Sequence, residues 1–561
     1  MLTQLQEMYQ MAGLPQKPDI IVILTDQERY PAHWPSGFVD SLTSWKRLQA
    51  CGLTFKRAYT SACMCTPSRG VMITSNYSNL TGLSMTPGEL SYDDPRIPQL
   101  AALMQAQGYD TVWKGKWHLS TPCDVMQWSA FDVGNMETQY GFAGWNPPDA
   151  GTVTGFSTYD SWATAGSGVP GHVNPAHDMR YLNKYGIVDS KKPKEEQLKN
   201  VQAHGFGEGA FEFLEARALG RQRNDPAAMK PFLLFMSFVN PHDINFFPDG
   251  WQSFGYSEKD LEPLKELIKL PPNAVDSLES KPTIQTVIRD IMNHGMPLIG
   301  QQKLTAGTGE EGIQPDPANT VDNYIQFYAY MTMYANNRVN EFMDHLDKLQ
   351  LTDNALVIRT ADHGEMGLSH GMREKVYNVY EETIHIPLVI SNPRLFKKAV
   401  STEALYAHVD FLPTLLGLAG TNGGSAAVLM KGKSLVPAIV DPNSQVQDTV
   451  LFCYDDESAM ISDLEYLSHI RAIRHGHYTY AVYYSPNLPG QYQYELYDLK
   501  QDGSGNLQMT NLLAEPHLLT DGALRRLWSR LQVLLNQKLI EAGQTPFPPV
   551  AVAEGMTAAG A

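Results

Sequence analysis

The chain has 561 residues, 43% hydrophobic and 10% aromatic, and 43 Lys plus Arg against 60 Asp plus Glu give a formal net charge of −17. Such length and apolar content exclude a disordered chain and predict one large domain with a smaller second one. The acidic balance excludes general binding to nucleic acid or an anionic membrane, so an anionic ligand needs a local cationic pocket or a metal.

In chain order, residues 1–17 read as a polar, Met/Gln-rich extension with no basic segment followed by an apolar one, so no signal peptide is expected. No apolar run reaches membrane-spanning length. The cysteines, Cys51, Cys63, Cys65, Cys123 and Cys453, suggest no disulfide framework, and a cytoplasmic protein is expected. Ile20–Leu24 has the length of a doubly buried strand and runs into Thr25-Asp26-Gln27. At Cys65-Thr66-Pro67-Ser68-Arg69, Thr66 suits an N-cap and Pro67 the first helical position. Cys65 then stands at a helix mouth, where free N–H groups favour an anion, with Arg69 one turn away. Cys63 reads as a small buried residue, since no zinc-ligand spacing surrounds it.

A helical pattern over 98–107 ends at Gly108, and Lys114, Lys116 and His118, spaced by two, share one face if the strand continues. A solvated face suits Lys114, which is kept out of the site. Segments of about 141–200 and 246–319 read as insertions that shape an entrance or decorate the surface. Trp145, Tyr159 and Trp162 suit either a cation–π cage or loop packing. A second apolar run, 232–239, leads into Asn240-Pro241-His242-Asp243, and a third, 355–360, into Ala361-Asp362-His363-Gly364, with a long amphipathic helix predicted over 323–349 between them. This alternation predicts an α/β fold with a large, mostly parallel central sheet flanked by helices, and ligands beyond the carboxyl ends of its strands. Short strands predicted at 449–454, 469–474, 478–483 and 492–497, then a helix over 519–542, predict a smaller C-terminal α+β domain with an antiparallel sheet. The expected organisation is an extension (1–17), a main domain (18–445), a C-terminal unit (446–545) and a mobile tail (546–561).

The segments Leu24–Gln27, Cys65–Thr74, Gly115–Leu119, Pro241-His242, Asp362–Glu365, Lys375 with Tyr380-Glu381, and Glu495–Leu499 resemble the sulfatase family in family order, from Pro18 to the C-terminal helix. The resemblance implies an alkaline-phosphatase-like fold and oxidation of Cys65 to formylglycine by a maturation enzyme. It also implies a divalent metal held by Asp26, Gln27, Asp362 and His363 with the modified Cys65. Asp26-Gln27 stands where many sulfatases carry Asp-Asp, and Asp362-His363 where they carry Asp-Asn. The same substitutions occur in a branch with choline sulfatases, some arylsulfatases and phosphonate monoester hydrolases. Oxygen donors favour Ca²⁺, and the imidazole makes Mn²⁺ a close competitor.

The implied reaction is hydrolysis of a small-molecule sulfate monoester to an alcohol or phenol and inorganic sulfate. The aldehyde hydrate attacks sulfur, giving a covalent sulfo-enzyme. Arg69 lies close to the anion, while Lys116, His242 and Lys375 neutralise the sulfate oxygens. His242 or Lys375 protonates the leaving oxygen, and His118 acts as the base that expels sulfate. His370 is placed near the site without a role. Two alternatives stand beside this reading: a phosphonate monoester hydrolase or phosphodiesterase using the same nucleophile, and a non-catalytic metal-binding protein on the same fold. A homo-oligomer is compatible with the sequence.

Overall fold

The computed structural model describes residues 1–86, 88–91, 93–121, 130–145, 209–248, 250–252, 256–295, 298–300, 317–455, 466–500, 508–514 and 522–549. Cys123, Tyr159, Trp162 and the tail over 550–561 lie outside the described residues. The strands are β1 (Asp19–Asp26), β2 (Gly52–Phe55), β3 (Ala58–Tyr59), β4 (Asp110–Gly115), β5 (Phe232–Pro241), β6 (Ala355–Ala361), β7 (Leu388–Ser391), β8 (Val400–Thr402), β9 (Tyr406–Ala407), β10 (Thr449–Tyr454), β11 (His469–His475), β12 (Tyr478–Tyr484) and β13 (Gln493–Asp498).

The central sheet has seven strands in the order β4-β5-β1-β6-β7-β2-β8. Neighbours pair in parallel except at β7, which runs against both β6 and β2. Its strands alternate between two apolar layers, as a doubly covered sheet requires. Ile20, Val22 and Leu24 join Leu233, Phe235, Leu356 and Ile358 on one face. Ile21 and Ile23 join Leu234, Met236 and Val357 on the other, beneath the helix Val321–Lys348. Thr320 caps that helix by accepting a hydrogen bond from the Asn323 N–H at 3.0 Å. Registers such as Thr25↔Ala361 and Gly115↔Ser237 bring four strand ends to one edge. Asp26, Lys116, His242 and Asp362 emerge there.

The 1–17 segment is more than a polar extension. Leu2–Ala12 is a helix whose Leu5 and Tyr9 are fully buried in the main core, and the Tyr9 hydroxyl donates to Leu418 O at 3.2 Å. The predicted 98–107 helix shortens to Leu100–Gln105. The 246–319 region is partly core: Ile284 and Ile288 of the Thr283–Gly295 helix are fully buried.

The C-terminal strands form an antiparallel sheet in the order β10-β11-β12-β13. Its apolar face shares one cluster with Val71, Ile288 and the Leu531, Leu535 and Leu539 stripe of the helix Gly522–Glu541. A carboxylate ties this sheet to the main domain. Glu495 accepts hydrogen bonds from the hydroxyls of Tyr380 (2.8 Å), Tyr497 (2.6 Å) and Tyr483 (2.6 Å). Glu495→Gln turns one acceptor into a donor facing those hydroxyls, and is expected to lower unfolding stability by about 1–3 kcal/mol. Urea denaturation measures this, and an unchanged midpoint would refute the latch.

Candidate active site

The helix Cys65–Thr74 begins at Cys65 itself, after Met64 in the left-handed region at φ 63°. Thr66 is therefore not the cap. Its hydroxyl donates instead to His118 O at 2.8 Å, tying the helix mouth to the loop after β4. Pro67 still falls in the first turn, where a missing N–H costs nothing. Gly70 lets Leu83 pack onto this helix, because an added Cβ would stand 2.4 Å from Leu83 Cδ1.

Two buried aspartates divide their oxygens. Asp26 Oδ2 accepts from Lys116 Nζ at 2.7 Å and Arg69 Nη2 at 3.1 Å, and Asp362 Oδ2 accepts from Arg69 Nε at 2.9 Å. The Oδ1 atoms face a second group. Cys65 Sγ lies 3.6 Å from Asp26 Oδ1 and 3.4 Å from His363 Nε2, which is 4.0 Å from Asp26 Oδ1 and 3.7 Å from Asp362 Oδ1. Asp26, Cys65, Asp362 and His363 thus offer ligand atoms all within 4.8 Å of one another. Arg69 also donates to Lys116 O at 2.7 Å and Ser237 Oγ at 2.9 Å, so that one guanidinium links residues of, or directly after, β1, β4, β5 and β6.

The electrostatics are asymmetric. Burial works against charge on Asp26, but the Lys116 ammonium and the Arg69 guanidinium hold its pKa well below the usual carboxylate range. Burial and the Asp26 charge raise that of Asp362. Burial opposes charge on His363 too, yet Asp362, Cys65 and Asp26 bring its pKa up to about 9. Burial, with Lys116 next in weight, pushes His118 and His242 well below the ordinary imidazole value, so both are neutral near pH 7.

Lys116 and His118 reach the site by a different route from that expected. β4 stops at Gly115, whose φ is 90°, and His118 has φ 59°, so a turn and not strand alternation sets their directions. Lys116 Nζ lies 3.5 Å from Cys65 Sγ. Lys114 is outside the site as expected, but it is buried and donates to Gly144 O. Trp145 is buried and donates its indole N–H to Gly115 O at 2.8 Å, so it packs the loop after β4; its two partners in the expected cage, Tyr159 and Trp162, lie outside the described residues.

Gln27, at φ 67°, donates its backbone N–H to Asp362 Oδ1 at 3.1 Å. Its side-chain Oε1 accepts from Lys375 Nζ at 2.8 Å, and its Nε2 donates to Glu365. It is thus engaged by neighbours beside the donor cluster. Lys375 also pairs with Glu374 at 3.0 Å, which overcomes burial and keeps the ammonium charged. His242 Nε2 stands 3.3 Å from the Asn245 amide, whose other side faces Glu374. His370 lies apart: its Nδ1 is 2.6 Å from Asp276 Oδ2 and its Nε2 is 3.2 Å from the Asn273 amide. Gly364 fits because Glu382 O would lie 2.0 Å from an added Cβ.

Sequence reasoning missed the residues behind these. Glu365 accepts from Tyr324 OH at 2.9 Å and from the backbone of Gly367 (3.0 Å) and Glu374 (2.9 Å), fixing the loop that carries Lys375. Ser68 donates to Asp362 O at 2.6 Å and contacts His408 Nδ1 at 3.0 Å, while His408 Nε2 meets Ala361 O at 3.0 Å. His408 carries no motif, so no local signal marks it. Burial pushes its pKa down to about 3. The unfolded imidazole, near 6.5, binds a proton that the folded one refuses, so stability falls as pH drops from about 6.5 toward 3. The slope from this residue approaches about 1.4 kcal/mol per pH unit. Urea titrations at pH 7 and pH 5 should show a shallower pH dependence in His408→Gln than in wild type. Equal slopes would contradict the assignment.

Comparisons with known proteins converge on one family. The sulfatase family model matches residues 18–421, and that for the C-terminal part of N-sulphoglucosamine sulphohydrolase matches 369–537. An ulvan-active sulfatase from Formosa agariphila is 26% identical, covering 94% of this chain and 82% of its own. A choline-sulfatase from Rhizobium meliloti is 24% identical over 90% and 84% of the two chains. BT4656, solved with its substrate D-glucosamine-2-N,6-O-disulfate, superposes with a TM-score of 0.61 at 19% identity, covering 94% of this chain and 98% of its own. A phosphonate monoester hydrolase from Silicibacter pomeroyi gives 0.58 at 18% identity over 93% and 97%. The folds agree in the large, mostly parallel sheet and the C-terminal antiparallel sheet. With the family model spanning most of the central sheet and the loops that carry the paired aspartates, the chain belongs to the sulfatase family and is a sulfuric ester hydrolase.

Proposed function

We propose that this enzyme hydrolyses small-molecule sulfate monoesters through a formylglycine made from Cys65 by a host maturation enzyme, with one divalent metal. The observation that carries the reading is the convergence on Cys65 Sγ of Asp26 Oδ1, His363 Nε2 and Lys116 Nζ at 3.6, 3.4 and 3.5 Å. The donor chemistry fits Ca²⁺ or Mn²⁺: two carboxylates and one imidazole, with the modified Cys65 beside them. Asp26, Asp362 and His363 would hold the ion, which when bound polarises sulfate oxygens and acidifies the nucleophile. Formylglycine supplies a hydrated aldehyde oxygen as that nucleophile.

The chain's own residues do the rest. Arg69 fixes both aspartates so that their Oδ1 atoms stay on the cation side. Lys116 and Lys375 present positive charge to the sulfate oxygens in a dry site, where such interactions count most. Lys375, held charged, is suited to supply the proton that the bridging ester oxygen takes up, with His242, neutral and oriented by Asn245, beside it. His118, also neutral, is suited to accept one from the nucleophile. Water adds across the S–O bond, and the products are an alcohol and inorganic sulfate.

Tandem mass spectrometry of the tryptic peptide Ala58–Arg69, from enzyme matured in a competent host, tests the nucleophile. The aldehyde is expected at Cys65 and not at Cys63. Intact cysteine at both positions in active enzyme would overturn the mechanism. The ratio of aryl sulfate to aryl phosphonate hydrolysis separates this reading from a phosphonate monoester hydrolase. The presence of Lys116 and His118 supports the sulfate preference. Sulfated sugars and choline sulfate belong in the same panel, because names of relatives include both substrate types.

A further inference from the structure

His33, Glu381 and His385 form a second cluster away from Cys65, with ligand atoms all within 4.8 Å of one another. His33 ends a short helical turn, Pro31–His33, on the loop that leaves β1, and Glu381 and His385 flank the turn Glu381–Ile384. Two imidazoles and one carboxylate are a recurrent donor set for zinc.

The His385 ring is oriented for this. Its Nε2 lies 3.0 Å from Lys56 O. A carbonyl oxygen only accepts, so Nε2 carries the hydrogen. In the neutral ring, Nδ1 then directs its lone pair at Glu381 Oε2, 3.3 Å away. Two acceptors at that distance repel unless a cation lies between them. The spacing is that of two ligands sharing one tetrahedral ion, since bonds of about 2.0–2.1 Å place adjacent donors about 3.3 Å apart.

The surroundings are those of an outer shell. A metal-bound imidazole usually donates its other N–H to a carbonyl or carboxylate, as His385 does to Lys56. Tyr30 stacks on the His385 ring at 3.9 Å between centroids, with Tyr59 against it at 5.0 Å. The remaining Glu381 oxygen, Oε1, faces Arg474 Nε at 3.7 Å. A proton on Nδ1 would satisfy only the His385–Glu381 contact. An ion would engage all three donors, including the His33 ring set at 71° to His385 with 5.5 Å between centroids.

We propose that His33, Glu381 and His385 bind a zinc ion, distinct from the divalent ion proposed at Asp26 and Asp362. This ion would cross-link the loop bearing Gln27 to the segment that follows Lys375, two residues that already meet at 2.8 Å. The inference does not depend on the sulfatase mechanism.

Full-length protein, stripped with chelator and dialysed against buffered Zn²⁺, tests it by elemental analysis. Wild type is expected to retain one zinc equivalent more than His33→Gln or His385→Gln, and Asp362→Asn is expected to keep that equivalent. Equal zinc in wild type and the folded His33→Gln variant would overturn the proposal. So would loss of all zinc in Asp362→Asn. His33 is partly exposed, so its variant decides the question even if His385→Gln fails to fold.

Discussion

Arg69→Met is expected to destabilise the fold by about 3–5 kcal/mol, the cost of leaving buried charges without their partner. Arg69 is fully buried and holds Asp26 at 3.1 Å and Asp362 at 2.9 Å with two arms of one guanidinium. Methionine fills similar space but leaves Asp362 Oδ2 without its cation and Asp26 with Lys116 alone. The aspartates then lose their orientation, and a shift of about 1 Å is enough for a loss on the order of 10²-fold in turnover. Arg69→Lys should recover part of the stability, since one ammonium cannot span both carboxylates. Urea unfolding and turnover at saturating metal measure both effects. The stability loss should be smaller with metal than after chelation, because an added cation offsets the same two charges. A variant as stable as wild type in chelator would sink this account of Arg69.

Cys65→Ser is expected to leave the fold intact and abolish turnover. The exchange removes little volume at a helix mouth whose neighbours are fixed by Thr66, Ser68 and Arg69. Chemically it is severe. A formylglycine hydrate carries two hydroxyls on one carbon, so one attacks sulfur and the other drives release. A serine has one hydroxyl and no release route. Turnover should fall by on the order of 10⁴-fold or more, as when a covalent nucleophile is lost. Intact-mass analysis after incubation with substrate should find the variant either sulfated at the introduced hydroxyl or unmodified. Normal multiple turnover would exclude the proposed nucleophile chemistry. The two variants differ in kind: Arg69→Met fails in both stability and rate, Cys65→Ser in rate alone.

The fold is legible in the sequence to the extent that it depends on local pattern. Apolar runs at 20–24, 232–239 and 355–360 each end in ligand-type residues, and β1, β5 and β6 lie side by side with those ends at one edge. The Cys65–Thr74 helix and the C-terminal antiparallel sheet follow the same rule. Errors arise where a pattern is extended past its physical limit. Alternation puts Lys116 and His118 on a strand face, but positive φ at Gly115 ends the strand first. Thr66 resembles a cap because Thr is a good one, yet its hydroxyl is drawn to His118 O, 52 residues away in sequence. Trp145 suits a ligand cage as well as loop packing because burial cannot be read from residue type.

Sequence by itself determined the chemical inventory: a cysteine in a sulfatase-like motif, two aspartates after buried strands, and basic residues in family order. Those features depend on neighbours within a few residues, where helix and strand periodicity act. Tertiary structure alone decided which oxygen of each aspartate is neutralised by Arg69 and Lys116 and which faces Cys65. It decided that Gln27 is held by Lys375 and Glu365, and that His408 braces Asp362 through Ser68. It also decided that Leu5 and Tyr9, in a segment that reads as a polar extension, sit in the main core. The reason is common to all four. Hydrogen-bond pairing and burial at these positions join segments up to hundreds of residues apart, and the packing that selects one partner among many is absent from any local window.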